Sequence, residues 1–106
     1  MANGVLGTSD IPATTETVVY TVPADTFSVV TLNITNRSAT PRTVRVALAA
    51  AGSADTSEYI EYDVEILANG VLERTGLALE ATRNIIVYAD SLGCSAVVYG
   101  LETATA

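Results

Sequence analysis

The residues of this chain that could carry chemistry are few, and histidine is not among them. The chain therefore lacks the side chain that proteins use most often as a general base and as a metal ligand. Its single cysteine, Cys94, has no second thiol for a zinc site, and its neighbours Gly93 and Ser95 supply no activating base or cation. We interpret Cys94 as a structural thiol and expect neither metal-thiolate nor Ser-His-Asp chemistry.

Three acidic residues, Glu61, Asp63 and Glu65, alternate along one stretch of the chain. Such a row could form an oxygen-rich calcium site or a pair of glycosidase carboxylates. On a regular strand, however, alternate residues lie about 6.5 to 7 Å apart, too far for one cation to bind all three without a covering loop. We favour a solvated strand face, with Arg45 or Arg74 as cross-strand partners. The opposite, inward face of this strand would carry Ile60, Tyr62, Val64 and Ile66.

Four tyrosines could form a platform on which a sugar ring stacks, but only coplanar, exposed rings would support this function. We favour the interpretation that the rings pack in the core. The stretch Gly4-Val5-Leu6-Gly7 lacks the lysine and the following helix of a phosphate-binding loop. The sequence thus predicts no catalytic residue, no cofactor and no metal. The four tyrosines are Tyr59, Tyr62, Tyr88 and Tyr99.

Short strands must position these residues. Between Thr17 and Asn36, two runs rich in β-branched residues flank Pro23-Ala24-Asp25-Thr26, and the first run ends there because proline cannot donate to a ladder. In the second run Val30, Leu32 and Ile34 alternate with polar residues, which indicates a strand with one side on a core. We predict a β-hairpin from these two runs.

The same alternation continues along the chain, with turn residues between the runs. Thr43 to Ala49 is a third predicted strand, antiparallel to the second, and the small polar residues from 49 to 57 form a loop. Asn69-Gly70 supplies the two positive-φ residues that a type I′ hairpin prefers. The other predicted strands are Glu58 to Ile66, Val71 to Thr75, a short one beginning at Leu77 and turning before Arg83, Asn84 to Ala89, and Cys94 to Leu101.

Seven to eight short strands at intervals of about ten residues predict an all-β fold, a single antiparallel β-sandwich of the immunoglobulin-like or jelly-roll-like kind. A small closed barrel is the alternative. The 106 residues suffice for one domain with a real core. Residues 1 to 8 form either an edge strand on their own sheet or an arm that docks on another subunit through Val5 and Leu6. Residues 102 to 106 form a polar tail.

The charge balance restricts the classes of partner. The formal net charge is −7, with five basic residues, and binding to phosphate-rich surfaces needs clustered lysine and arginine. We therefore expect no nucleic-acid partner and no membrane partner. The first ten residues show no signal-peptide pattern, so we expect synthesis and retention in a cytoplasm, or release by lysis.

Three stretches follow one another along the chain: Val19-Tyr20-Thr21-Val22-Pro23-Ala24, Val29 to Asn36, and Thr43-Val44-Arg45-Val46. In this order they resemble a small β-sandwich module of tailed-phage virion proteins. In that module a YTVPAG-like hairpin, a strand ending in asparagine and a valine-rich strand follow one another, although Asp25 stands here where glycine is usual. The stretches Tyr59 to Tyr62, Gly70 to Gly76 and Val97 to Glu102 resemble the rest, and the whole chain is most similar to small stand-alone virion proteins of cyanophages.

The resemblance implies a non-enzymatic structural part of a phage particle, present in many copies and bound to other virion proteins. A capsid-decorating or cement subunit on the major capsid protein is favoured, because the chain shows one domain with no helical anchor and no fibrous repeat. A tail, baseplate or fibre subunit is the near alternative. A symmetric homo-oligomer is expected in either place. A carbohydrate-binding module is the alternative from another class, whereas the missing histidine disfavours a small hydrolase.

Overall fold

The computed structural model describes residues 3–105, which form eight β-strands and one 3₁₀ turn, Thr56–Glu58. None of the described residues belongs to a helix that is long and apolar enough to cross a membrane. The strands are β1 (Asn3–Asp10), β2 (Thr17–Thr21), β3 (Thr26–Asn36), β4 (Arg42–Ala49), β5 (Tyr59–Ile66), β6 (Val71–Leu79), β7 (Asn84–Ala89) and β8 (Cys94–Ala104).

The strands form two antiparallel sheets with the orders β1-β8-β3-β6 and β2-β7-β4-β5. Only β4 and β5 are neighbours both in sequence and in a sheet, and every other connection passes from one sheet to the other. This is the strand arrangement of a jelly roll. The predicted β-sandwich is therefore confirmed. The immunoglobulin-like order, in which the first two strands share a sheet, does not fit it.

Three predicted pairings of strands are wrong, because the turns concerned connect the two sheets. The hairpin of β2 with β3 is absent, since β2 pairs with β7 while β3 pairs with β6 and β8. The third strand, β4, likewise lies in the other sheet from β3. The Asn69-Gly70 turn leads from β5 across the sandwich to β6, and only Asn69 in it has a positive φ, 56°. A type I′ turn needs two such residues, so this is not one.

One apolar core fills the space between the sheets. On β3, Val30, Leu32 and Ile34 are buried in it as the alternation predicts. Val44 and Val46 of β4 face them from the opposite sheet and are fully buried. Each such side chain contributes about 1.5 to 3 kcal/mol on burial, so these alternate residues stabilise the sandwich.

Both ends of the described chain are strands of the same sheet. Residues 3–8 lie in β1, which pairs with β8 as an edge strand, while residues 1 and 2 of the expected arm lie outside the described residues. The expected polar tail is wrong for residues 102–104, because β8 continues to Ala104 and Glu102 is buried. Ala106 lies outside the described residues. The separate strand expected from Leu77 is wrong as well, since β6 runs unbroken through Gly76 to Leu79.

Candidate assembly surface

The one cysteine is enclosed by the core. Cys94 begins β8 and is fully buried, and this burial is the main cause that raises the pKa of its thiol. A protonated, buried thiol is a poor nucleophile, in agreement with the structural interpretation. Residues 3–105 enclose no cavity or cleft, and they bring no three acidic or cysteine side chains together in a metal-binding arrangement.

A β-bulge breaks the predicted alternation of the acidic row in β5. Asp63 has a φ of 54°, and the register between β4 and β5 shifts around it. Glu61, on one side of the bulge, is turned toward the gap between the sheets, whereas Asp63 lies on the outer face. Tyr62 was expected to face inward, but it is 56% exposed. The prediction of one regular acidic face is therefore wrong, because one extra residue reverses the side on which its neighbours lie.

Both arginines expected as partners of this row bind it. Arg45 Nε lies 2.6 Å from Asp63 Oδ1 across the β4–β5 pair. Arg74 Nη1 lies 2.9 Å from Glu61 Oε2, and this ion pair joins β6 to β5 across the open side of the sandwich. These carboxylates thus have structural uses: Glu61 links the edges of the two sheets, and Asp63 links two neighbouring strands of one sheet.

An arginine lies between two tyrosine rings on the outer face of the β2-β7-β4-β5 sheet. The guanidinium carbon of Arg45 is 4.3 Å from the ring centroid of Tyr62 and 4.7 Å from that of Tyr88. Tyr59 contacts Tyr62 edge to face, with an interplanar angle of 83°. Crossed rings do not form a flat platform for a sugar. The core interpretation is wrong for Tyr62, which is 56% exposed on the outside of the sheet, whereas Tyr59 packs against a small buried cluster.

The loop between β4 and β5 covers another part of this outer face. Beneath it Ala47 and Ile86 are buried, and Tyr59 packs beside them. The carboxylate of Glu58 closes the loop by accepting hydrogen bonds from the backbone N–H groups of Ala50 at 3.0 Å and Asp55 at 2.9 Å. These bonds lower the pKa of Glu58. The loop therefore shields Ala47 and Ile86, whereas Val18 and Tyr62 on the same sheet remain 40% and 56% exposed.

The outer face of the β1-β8-β3-β6 sheet, in contrast, presents large apolar side chains to solvent. The register places Val5 beside Tyr99, and Leu101 beside Val29, so these side chains are contiguous across three strands. The apolar face, as we call this set, consists of Val5, Phe27, Val29, Tyr99 and Leu101, which are 66%, 42%, 45%, 38% and 60% exposed. Contiguous exposed apolar surface of this kind marks interaction sites.

Most outward residues around the apolar face are polar or acidic, although Val97 and Val71 lie on the same outer face beside Asn33 and Thr35. The outward residues further along β3 are Thr31, Asn33 and Thr35. Among the described residues that point outward from this sheet, Asp10 and Glu73 are charged. Asp10 is 2.7 Å from the guanidinium of Arg37, whereas Glu73 accepts a 3.3 Å hydrogen bond from the hydroxyl of Tyr99. An apolar centre with a polar rim is typical of protein interfaces.

The structure separates the two residues expected to form a docking arm. Val5 belongs to the apolar face, whereas Leu6 packs against the core, because the register shifts between Val5 and Gly7. Phe27 and Val29 were missed as surface residues. They are in phase with Thr31 on β3, so extending the alternation two steps toward the start of this strand could have revealed the apolar face.

Comparison with known proteins shows one distant structural likeness. No family model matches the chain, and no curated protein matches it. Among solved structures, the chain is similar to one from the Cyanophage Pam1 capsid asymmetric unit. The identity is 20%, the match covers 93% of this chain and 84% of that chain, and the TM-score is 0.43. A likeness this distant assigns no function.

Proposed function

We propose that this chain is a non-catalytic structural subunit of a tailed-phage particle, most specifically a capsid-decorating or cement subunit. The observation that carries the proposal is the apolar face, where five large apolar side chains are exposed side by side on the outside of one sheet. Individually exposed apolar residues are ordinary on protein surfaces, but a contiguous set across three strands indicates assembly.

The assignment of the chain to a phage particle rests on the residues that resemble phage virion modules, together with the jelly-roll strand order. Jelly rolls occur in viral capsid domains but also in lectins and cupins, so the fold alone does not select the function. The side chains that could have carried chemistry have structural uses here. Cys94 is buried, and Glu61 and Asp63 are engaged by arginines. These features favour a structural role over an enzymatic one.

The experiment that tests this proposal is mass spectrometry of purified particles of the phage that encodes the chain, with heads and tails separated before digestion. A decoration or cement role predicts the chain in the head fraction at tens to hundreds of copies. It also predicts that heads assembled without the chain release DNA at a lower temperature. Recovery only with tails would move the chain to a tail, baseplate or fibre role, and absence from both fractions would overturn the proposal.

A further inference from the structure

We infer that the apolar face docks on a different protein whose surface is apolar at its centre and carries a lysine or arginine where it meets Glu73. The inference rests on the proposed function in one respect, which is that the partner is found on the phage particle. The surface and its charge are properties of the described residues themselves.

The centre of the docking surface is the neighbouring pair Val29 and Leu101, with Val5 and Tyr99 beside it. Val29 and Leu101 lie on the two central strands of the sheet, β3 and β8, and are nevertheless 45% and 60% exposed. Interface energy concentrates in a few central, well-packed side chains, tyrosine prominent among them, from which surrounding contacts exclude water. Thr31 and Asn33 on β3 are placed to provide such a surrounding, since both lie on the same face.

The charge at the edge of this surface is negative. Glu73 accepts a hydrogen bond from Tyr99, so covering Tyr99 would also remove water from this carboxylate. Leaving a carboxylate desolvated without a positive partner is strongly unfavourable. Four of the five arginines, at positions 37, 45, 74 and 83, already bind carboxylates of the chain. The fifth, Arg42, lies on β4 of the other sheet and donates to the carbonyl of Leu92 at 2.7 Å, so we infer that the compensating cation comes from the partner.

The same charges argue against a second copy as the occupant. Each copy carries a formal net charge of −7, which opposes association. The positive side chain beside this face is Arg37, which follows β3 and is already bound by Asp10 at 2.7 Å. Stacking two such faces would desolvate two Glu73 carboxylates without adding a free cation. A basic partner removes this cost and also accelerates docking by attraction.

The test uses particles of the encoding phage assembled without this chain, to which the purified full-length chain is added back. The Val29→Asp and Leu101→Asp variants place a charge at the centre of the face, at positions exposed enough to leave the core unchanged. We expect each to weaken binding at least roughly tenfold, as truncation of central interface residues does. The matched control is Val18→Asp, since Val18 is 40% exposed and lies on β2 in the other sheet. We expect this control to bind within about twofold of the wild type.

A second pair of variants tests the charge. Glu73→Gln keeps an acceptor for Tyr99 but removes the charge, and we expect roughly three- to tenfold weaker binding with a shallower salt dependence. Glu65→Gln removes one charge from an exposed residue of β5 in the other sheet and should leave both quantities unchanged. Equal losses from the two glutamine variants, or no loss from either, would overturn the assignment of a basic partner.

The outcomes separate this inference from the proposed function. Wild-type binding that Val29→Asp and Leu101→Asp leave intact overturns the inference while the proposed function stands. Failure of the wild-type chain to bind at all overturns the proposed function and the partner with it. Sedimentation of the free chain tests whether a second copy occupies the apolar face. A dimer that the Val29→Asp variant dissociates would show that it does, and would overturn the inference.

Discussion

The hydroxyl of Tyr20 in β2 donates a 2.6 Å hydrogen bond to Oε2 of Glu102 in β8, and this bond joins the two sheets near the end of the last strand. Both residues are buried, at 6% and 7% exposure. Burial is the main cause that raises the pKa of Tyr20 to about 12, and the hydrogen bond to Glu102 adds to it. Glu102, the residue expected to start a polar tail, is thus part of the interior.

The Tyr20 phenol makes stability fall at high pH. The ordinary tyrosine pKa is 10.0, so between pH 10 and 12 the unfolded chain loses this proton while the folded chain keeps it. The unfolded state then binds fewer protons, and the free energy of unfolding decreases as the pH rises. We expect the stability advantage of the wild type over Tyr20→Phe to be full below pH 10 and to shrink toward pH 12. Urea denaturation at several pH values measures this difference in the free energy of unfolding, with Tyr62→Phe as the control. A difference that does not change with pH would contradict the raised pKa of Tyr20.

Asn36 at the end of β3 is a buried hydrogen-bonding centre. Its Nδ2 donates to the carbonyls of Thr40 at 2.9 Å and Ile66 at 3.1 Å, and its Oδ1 accepts from the N–H of Ser38 at 3.0 Å. Asn36→Ala leaves buried carbonyls unpaired, so we expect a loss of about 3 kcal/mol in the free energy of unfolding. The matched control is Asn33→Ala on the outer face of the same strand, for which we expect less than about 1 kcal/mol. Equal losses in urea denaturation would refute this role.

Gly100 permits the close approach of β8 and β3. A Cβ atom at this position would overlap the carbonyl oxygen of Val29 and crowd the backbone of Val30. Gly100→Ala should therefore destabilise the chain by about 2 kcal/mol or more, as overpacking does. Gly52 lies in a loop where an added Cβ meets nothing within 4 Å, so Gly52→Ala should be neutral or slightly stabilising. Thermal unfolding of the two variants measures these changes in stability. A Gly100→Ala variant as stable as the wild type would show that β3 and β8 separate easily at this position.

The contacts of Arg45 depend on the shape of its guanidinium group as well as on its charge. Its guanidinium carbon lies over the rings of Tyr62 and Tyr88 while its Nε contacts Asp63, and lysine reproduces neither this stacking nor the fork of donors. We expect Arg45→Lys to lower the melting temperature by a few degrees. NMR should also show shifted ring resonances of both tyrosines. Arg37→Lys alters a more exposed ion pair and should leave the melting temperature unchanged. Unshifted tyrosine resonances in Arg45→Lys would exclude the stacking.

The sequence located the strands better than it paired them. Alternation placed β7 at its observed bounds and Val30, Leu32 and Ile34 in the core, because burial of one strand face is a local pattern. Pairing depends on contacts distant in sequence. Pro23 and Asn69 mark where strands end, but the same turn chemistry serves a hairpin and a crossing between sheets.

The bulge at Asp63 and the apolar face were missed for different reasons. A non-glycine residue with positive φ leaves little trace in the sequence, so the side of Glu61 could not be read from alternation. The apolar face was visible in Phe27 and Val29, but it becomes a surface only when β1 and β8 bring Val5, Tyr99 and Leu101 beside them. The pairing of β1 with β8 brings together residues that are far apart in the sequence.

A cryo-electron-microscopy map of intact particles of the encoding phage tests the central claim most directly. The account predicts density of this domain's size on the outside of the head, with β1, β8 and β3 toward the shell and Val29 and Leu101 buried against it. A domain bound with the apolar face toward solvent would contradict the docking surface. Absence of the domain from both head and tail would contradict the structural role itself.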